Sequence, residues 1–473
     1  MMPPHSNEKR PLAALLVPDL LEMLEEAPES IRAQTEEMHP ADLADVAEAM
    51  PEQAVRSFLA ALGKERAAEV LEYLDEDLRT QFLEELTARE AASIVAEMTP
   101  DERADALEEL DEETADDILS ELEPADKAET ERLLGYDPYT AGGLMTTEFV
   151  SVDDALTVEE ALLAVRAMAR GGRREAMYTI YTTDPMGRLR GVLSLRELLA
   201  APEGTRITDL AWSEVVSVSP NMLQEEVSQI TSNYDLVTLP VVDTHGRLLG
   251  VVTVDDVIDV IQEEGTEDAQ KFGGMEALEE PYMQIGLWQN VRKRGGWLAV
   301  LAIGEMLSTS AMAHYEEGFT GRGAMLMQFI PLVMSSGGNS GSQATSLIIR
   351  AMALGEVRLS DWWRIVLREL PAGFILGVLL GTISIVRIVA WQSMGLYDYG
   401  QYSWRIALTV GFSLIGIVTL GSLTGSMLPF VLRRFGFDPA SASAPLVATL
   451  VDVSAIMIYF SVAYALLGGL LLN

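Results

Sequence analysis

Residues 331–349, PLVMSSGGNSGSQATSLII, form an uncharged run in which Gly, Ser, Asn and Gln interrupt an apolar stretch long enough to cross a bilayer. Polar or irregular backbone is tolerated at membrane depth only where it lines a protein cavity or a watery path. The run therefore predicts either an interrupted helix beside an ion path or a small-residue surface for close helix packing. Gly337, Gly338 and Gly341 permit close backbone approach, while Asn339, Ser340, Ser342 and Gln343 supply neutral oxygens suited to a hard, hydrated cation. Asp452 stands in another apolar stretch, seven residues after Pro445, which on a helix is roughly 10 Å inside it. An acid at that depth faces a bundle interior or a water-filled path and counts as functional by default. The structural alternative is a hydrogen-bonded acid that ties two helices together.

The composition divides near residue 290. From Val291 onward there are 9 acidic and 12 basic residues, so the formal charge of −39 comes from about −42 before that point and about +3 after it. So acidic a soluble region repels nucleic acid and anionic lipid and attracts divalent cations. The absence of cysteine excludes disulfides, thiolate metal sites and cysteine nucleophiles, and four histidines argue against a soft transition-metal centre. The N-terminal MMPPHSNEKRPLAALLVPDLLEMLEEAPES lacks the apolar core and cleavage site of a signal peptide. The acidic part is thus expected in the cytoplasm.

Five apolar segments, near 296–314, 324–349, 365–391, 404–432 and 445–471, are each long enough to span a hydrocarbon core of about 30 Å. Arg292, Lys293 and Arg294, then Arg350, Arg358, Arg364 and Arg368, then Arg433 and Arg434 mark one side of the membrane. The positive-inside rule places the N-terminus in the cytoplasm and the C-terminus outside, in a multi-pass protein of the inner (plasma) membrane. Glu305, in the first span, is a second acid at depth. It lines the path, pairs with Arg387, or is protonated against Ser308 or Thr309, and it ranks below Asp452 because no Gly or Pro interruption marks its surroundings.

In the soluble part an apolar residue recurs every twelve positions at Met38, Met50, Leu62, Leu74, Leu86, Met98, Leu110, Leu122 and Leu134. Each unit reads as one short helix: Thr87 with Glu90 and Thr99 with Glu102 have capping-box spacing, Pro100 suits a first helical position, and Asp75 and Asp111 suit caps. Helices this short must stack into a superhelical array that buries the shared seam. A second repeat follows. TIYTTDPMGRLRGVLSLRELL and TLPVVDTHGRLLGVVTVDDVI match at an offset of 59 residues, with Asp184, Gly187 and Gly191 answering Asp243, Gly246 and Gly250. Each copy predicts a strand, a D-x-x-G-R turn, a second strand and a helix, preceded by helices over 157–170 and 221–232.

This duplication resembles a pair of cystathionine-β-synthase (CBS) domains, a resemblance that implies a regulatory unit with ATP as a candidate ligand. No nucleophile, catalytic dyad or Walker lysine accompanies it, so an enzyme is not expected, and GGNSGSQATS lacks the lysine of a phosphate-binding loop. With AGGLMT at 141–146, GGNSGSQATSLIIRA at 337–351 and PLVATLVD at 445–452, the whole arrangement resembles the MgtE family of magnesium channels and transporters. The resemblance implies a multidomain fold: an all-α superhelical array over 1–135, α/β tandem CBS domains over 136–203 and 204–263, a connecting plug helix over 264–290, and an all-α polytopic membrane domain with five transmembrane helices over 291–473.

It further implies a homodimer in the lipid bilayer with a pore between the two membrane domains, Asp452 facing the permeating Mg2+, and Gly337, Gly338, Asn339 and Ala448 close by. A regulatory Mg2+ face would comprise Glu69, Asp101 and Asp105 opposite Asp235, Asp256 and Asp259, with Glu264, Glu267 and Asp268 on the connecting helix. Ala444, Glu305 and Glu197 depart from the family's usual residues. Independently, Mg2+ demands near-octahedral oxygen coordination and sheds water reluctantly. Two symmetry-related aspartates with neutral oxygens meet that demand at a two-fold axis, and an inward-negative potential contributes about 4.6 kcal/mol per 100 mV for a divalent ion. The expectation is Mg2+ uptake down its electrochemical gradient, gated closed by cytosolic Mg2+. The alternatives are an ion-coupled divalent cation exporter or exchanger, and a non-transporting membrane-anchored CBS sensor.

Overall fold

The computed structural model describes residues 11–170, 176–278, 282, 285–316 and 321–471, in two compact units over 1–261 and 262–473. The first unit begins with helices α1 (Pro11–Glu26) and α2 (Ile31–Gln34). Then comes the repeat: α3 (Pro40–Ala49), α4 (Glu52–Leu62), α5 (Lys64–Leu71), α6 (Glu76–Glu84), α7 (Ala88–Val95), α8 (Pro100–Glu108), α9 (Glu112–Glu121) and α10 (Pro124–Leu133). From Pro40 each helix starts twelve residues after its predecessor, and the seam residues Met50, Leu62, Leu74, Met98, Leu110 and Leu122 are buried. Alternate helices pack on one another, α5 on α7 and α8 on α10, which generates the superhelical stack.

Local chemistry sets the starts. Thr87 and Glu90 close a reciprocal capping box, and Asp75 and Asp111 accept from amides of their following turns. Thr99 does not cap: Glu102 is drawn instead toward Arg79, at 3.6 Å, and the Thr99 amide donates to Glu72 at 3.3 Å. Attraction to a buried guanidinium outweighs one surface cap.

Strand β1 (Phe149–Asp153), α11 (Val158–Arg170), β2 (Ala176–Thr183), β3 (Leu189–Ser194) and α12 (Leu195–Ala200) form the first copy of the doubled module, followed by α13 (Ile207–Leu210). The second copy holds α14 (Gln224–Tyr234), β4 (Thr238–Val242), β5 (Leu248–Thr253) and α15 (Val254–Phe272). Both hairpins are antiparallel, with one irregularity at the same relative place. Asp184 and Asp243 each accept from two turn amides, and Gly187 and Gly246 take φ of 75° and 78°, a backbone region that favours glycine. The two turns pair with each other, Leu189 N–H donating to Gly246 and Leu248 N–H to Gly187. Gly250 is required by close approach: a Cβ there would stand 2.6 Å from the carbonyl of Thr146, which exchanges backbone hydrogen bonds with Val251. The AGGLMT motif thus adds an edge to the second hairpin.

The second unit contains α16 (Leu287–Glu316), α17 (Ile330–Ala353), α18 (Trp362–Ser393), α19 (Ser403–Arg434) and α20 (Ala444–Leu471). Among the described residues four helical stretches are by themselves long and apolar enough to cross a membrane: Leu287–Tyr315, Leu359–Ser393, Gly400–Arg434 and Ala444–Leu467. The remaining helix, α17, has 24 residues, about 36 Å of length, but its Gly, Ser, Asn and Gln lower its hydropathy. It is not interrupted. Of the two alternatives the packed one is found: α17 fits against α19 and α20, and its hydroxyls bond to their carbonyls.

A separate connecting helix over 264–290 is not observed either. Those residues continue α15 from Val254 to Phe272, where Gly273 and Gly274 end it, and 279–281, 283 and 284 lie outside the described residues. In this unit Lys271 at the end of α15 bonds Asp438 at 2.6 Å and also pairs with Glu267. Phe272 packs with Ile349, Ala440 and Ala442. The turn before the last membrane helix is thereby tied to the end of α15.

Candidate ion path and acidic faces

Helix α20 is positioned by small residues. A Cβ on Gly337 would lie 2.6 Å from Ile417 and 2.7 Å from Val451, and one on Gly338 would lie 3.2 Å from the Ala448 methyl. Gly341 similarly meets Val447, at 2.7 Å. The structure brings Gly337, Gly338 and Ala448 together, and Asp452 follows Ala448 by one turn on the same face. Asp452 is half-buried, and among the described residues nothing donates a hydrogen bond to it or pairs with it. Asn339 is exposed, its amide donating to Ser335 at 3.3 Å. The Ala444 carbonyl accepts from Ser342 at 3.3 Å, so backbone oxygen at the start of α20 is already engaged.

The acids of the first unit are placed differently. Asp101, in the first turn of α8, is only 6% exposed, and its Oδ1 has no hydrogen-bond partner. Burial pushes its carboxyl well above the ordinary carboxylate range, against the opposing pull of nearby amides and the hydroxyls of Thr99 and Thr146. Asp256, in the first turn of α15, accepts from the Thr253 hydroxyl and is pushed up to about 8, first by burial and then by the charge of Asp101. Glu72 is raised to about 7 and Glu102 to about 9, again chiefly by burial, with Asp101 adding to both. Glu72 and Glu102 were not among the expected site residues. The i, i+3 spacing of Glu69 and Glu72 was the available signal.

Glu69 is half-buried and held by Arg66 at 2.6 Å, and Asp105 and Asp259 are exposed. Asp235 ends α14 in the left-handed conformation, φ 51°, as an exposed helix cap. Glu264, Glu267 and Asp268 lie further along α15, Glu267 paired with Lys271. Among the described residues no three carboxylates or histidines gather as a metal cage. The acids present surfaces, and on them the charge of Asp101 bears on Asp256. Glu197 forms a capping box with Ser194 and accepts from the Trp212 indole at 3.1 Å.

Helices packed through glycine beside a membrane-depth acid, with an acidic helical array and a doubled hairpin module on the same chain, define a polytopic transporter with a large soluble part. A family model described as a divalent cation transporter matches residues 330–462, the MgtE intracellular N domain matches 38–139, and the CBS domain matches 207–263. The chain belongs to the MgtE family. It is 41% identical over 342 residues to the magnesium transporter MgtE of Thermus thermophilus, covering 72% of each chain, and 32% identical over 335 residues to that of Enterococcus faecalis, covering 71% of each. The solved cytosolic domain of the Mg2+ channel MgtE in complex with ATP is 38% identical, covering 52% of this chain and 99% of that one with a TM-score of 0.49.

Proposed function

We propose that this protein carries Mg2+ into the cytoplasm down its electrochemical gradient, through a path on which Asp452 faces the ion. The observation that carries the reading is Asp452 itself: an acid on a membrane helix, fixed one turn beyond the Gly338–Ala448 contact, with no ion-pair partner among the described residues. Such a carboxylate is costly in lipid and is retained where water or a cation meets it. Asp452 and Asn339 are not enclosed within one protomer, and a closed two-fold homodimer would place both copies of the acid on one axis. Gly337, Gly338 and Ala448 set the close approach that holds this lining.

The acidic face of the first unit is the sensor. Asp101 and Asp256 repel each other when ionised, and a divalent cation relieves that repulsion. Glu69, Asp105, Asp235 and Asp259 supply the surrounding negative field, and Glu264, Glu267 and Asp268 continue the acidic run along α15. The CBS module is the seat of any adenine nucleotide. The protein sits in the inner (plasma) membrane with the acidic region cytoplasmic and the C-terminus outside, as the flanking arginines require.

The test is the driving force. Mg2+ entry into proteoliposomes should follow an imposed inside-negative potential and ignore proton and sodium gradients. Entry that tracks a proton or sodium gradient at zero potential would make the protein an exchanger.

A further inference from the structure

The first membrane helix brings another carboxyl group to the path. Gly304 of α16 lies so near Thr449 of α20 that a Cβ on it would stand 2.5 Å from the threonine methyl. This approach lets the Thr449 hydroxyl donate to Glu305 Oε1 at 3.3 Å. Thr449 and Asp452 are three residues apart, the spacing of neighbours on one helix face, and the carboxyls of Glu305 and Asp452 act on each other electrostatically.

No cation answers this pair. Arg387 is stacked over Trp391, 4.2 Å from its ring centre, and among the described residues no basic side chain forms an ion pair with Glu305 or Asp452. One polar group remains. Ser308, one turn beyond Glu305, is 3% exposed and its hydroxyl has no hydrogen-bond partner. The Trp297–Ser443 and Glu305–Thr449 contacts advance together along both chains, so α16 and α20 run in the same direction. Ser308 stands one turn beyond Glu305 on α16, as Asp452 stands one turn beyond Thr449 on α20.

We propose that Glu305 is a second cation-ligating carboxylate of the permeation path, one turn before Asp452 and held in place by Thr449. The proposal rests on the reading of Asp452 as the ion-facing acid. Two carboxylates per protomer bind a divalent ion more tightly than one, and they hold it at two successive levels. With the Thr449 hydroxyl beside Glu305, they supply the oxygen-only lining that a hydrated Mg2+ accepts. Thr449 is a positioning residue, since its hydroxyl fixes the Glu305 carboxyl rather than meeting the ion first.

The experiment uses the full chain in proteoliposomes and measures Mg2+ entry against external Mg2+ for wild type, Glu305→Gln, Glu305→Asp, Thr449→Val and Asp452→Ala. Glu305→Gln should raise the half-saturating Mg2+ concentration by about tenfold, the effect of removing one screened charge near a divalent ion. Glu305→Asp should recover most of that loss, and Thr449→Val should show an intermediate rise. Wild-type half-saturation in Glu305→Gln, with Asp452→Ala silent, would reduce Glu305 to a packing residue and overturn the proposal while sparing the reading of Asp452. Normal entry in Asp452→Ala would instead remove the reading on which the proposal rests. If Glu305→Gln does not assemble, Thr449→Val decides, and an unchanged half-saturation there overturns the proposal. Entry that follows a proton gradient in wild type but not in Glu305→Gln would make Glu305 a proton carrier, which also overturns it.

Discussion

Gly341 of α17 and Gly425 of α19 touch through bare backbone: a Cβ on Gly425 would stand 2.0 Å from the Gly341 carbonyl oxygen, and the Thr345 hydroxyl lies 2.9 Å from both carbonyls. One turn earlier Gly421 meets Gly337 in the same way, at 2.4 Å. These contacts place α17 against the membrane core and so set the position of Gly338 beside Ala448.

Gly425→Ala is therefore expected to destabilise the membrane unit by about 1–3 kcal/mol, the cost of overpacking a rigid backbone contact. Gly265→Ala, on α15 with no neighbour within 4 Å of its would-be Cβ, should stabilise by about 0.5–1 kcal/mol. Thermal unfolding in detergent compares the two. Equal effects would mean that the glycine contact does not set the packing.

Arg79 is a part-buried counter-ion of the array. Its guanidinium bonds both oxygens of Glu109 and lies 3.6 Å from Glu102. Arg79→Leu leaves two part-buried carboxylates without that cation and should cost about 3–5 kcal/mol. Arg79→Lys should recover only part, since an ammonium cannot hold a carboxylate in a two-pronged grip. Circular dichroism of the melting array measures both, and a wild-type midpoint in Arg79→Leu would remove this pairing from the account.

The acidic face predicts a pH dependence. Asp256 is raised to about 8, Glu72 to about 7 and Glu102 to about 9, all chiefly by burial, whereas in an unfolded chain such groups ionise near 4. A carboxyl raised on folding stabilises the folded form fully below its unfolded value, and that contribution fades as pH rises through the folded value. In Mg2+-free buffer, hydrogen-exchange protection of α8 and the start of α15 should fall between about pH 4 and 9. Added Mg2+ should restore it at high pH and release protons. Protection that stays flat across that window would contradict the crowding of Asp101 with Asp256.

Much of this was legible in the residues. The twelve-residue spacing gave the period of the helices from Pro40 to Pro124, and Asp75, Thr87 and Asp111 marked three of their starts. The 59-residue offset gave both hairpins and their glycine turns. Three features were not legible in any local pattern, and the last of them was implied only by the family resemblance. The glycine run at 337–341 reads equally as a broken helix or a packed one until the partner surface is known, and the partners, Gly421 and Gly425, are some eighty residues away. Glu102 carries a capping-box spacing that a distant arginine overrides. The approach of Asp256 to Asp101 joins residues whose separation no local pattern encodes.

The central claim is that Asp452 meets the permeating ion. The most direct measurement is Mg2+ entry into proteoliposomes of wild type and Asp452→Ala under one inside-negative potential, with the variant shown to be folded and of wild-type assembly size. The account predicts voltage-driven entry in the wild type and a loss of at least about a hundredfold in the variant, the expected result of removing an acid that faces the ion at membrane depth. Entry by Asp452→Ala at the wild-type rate would contradict it.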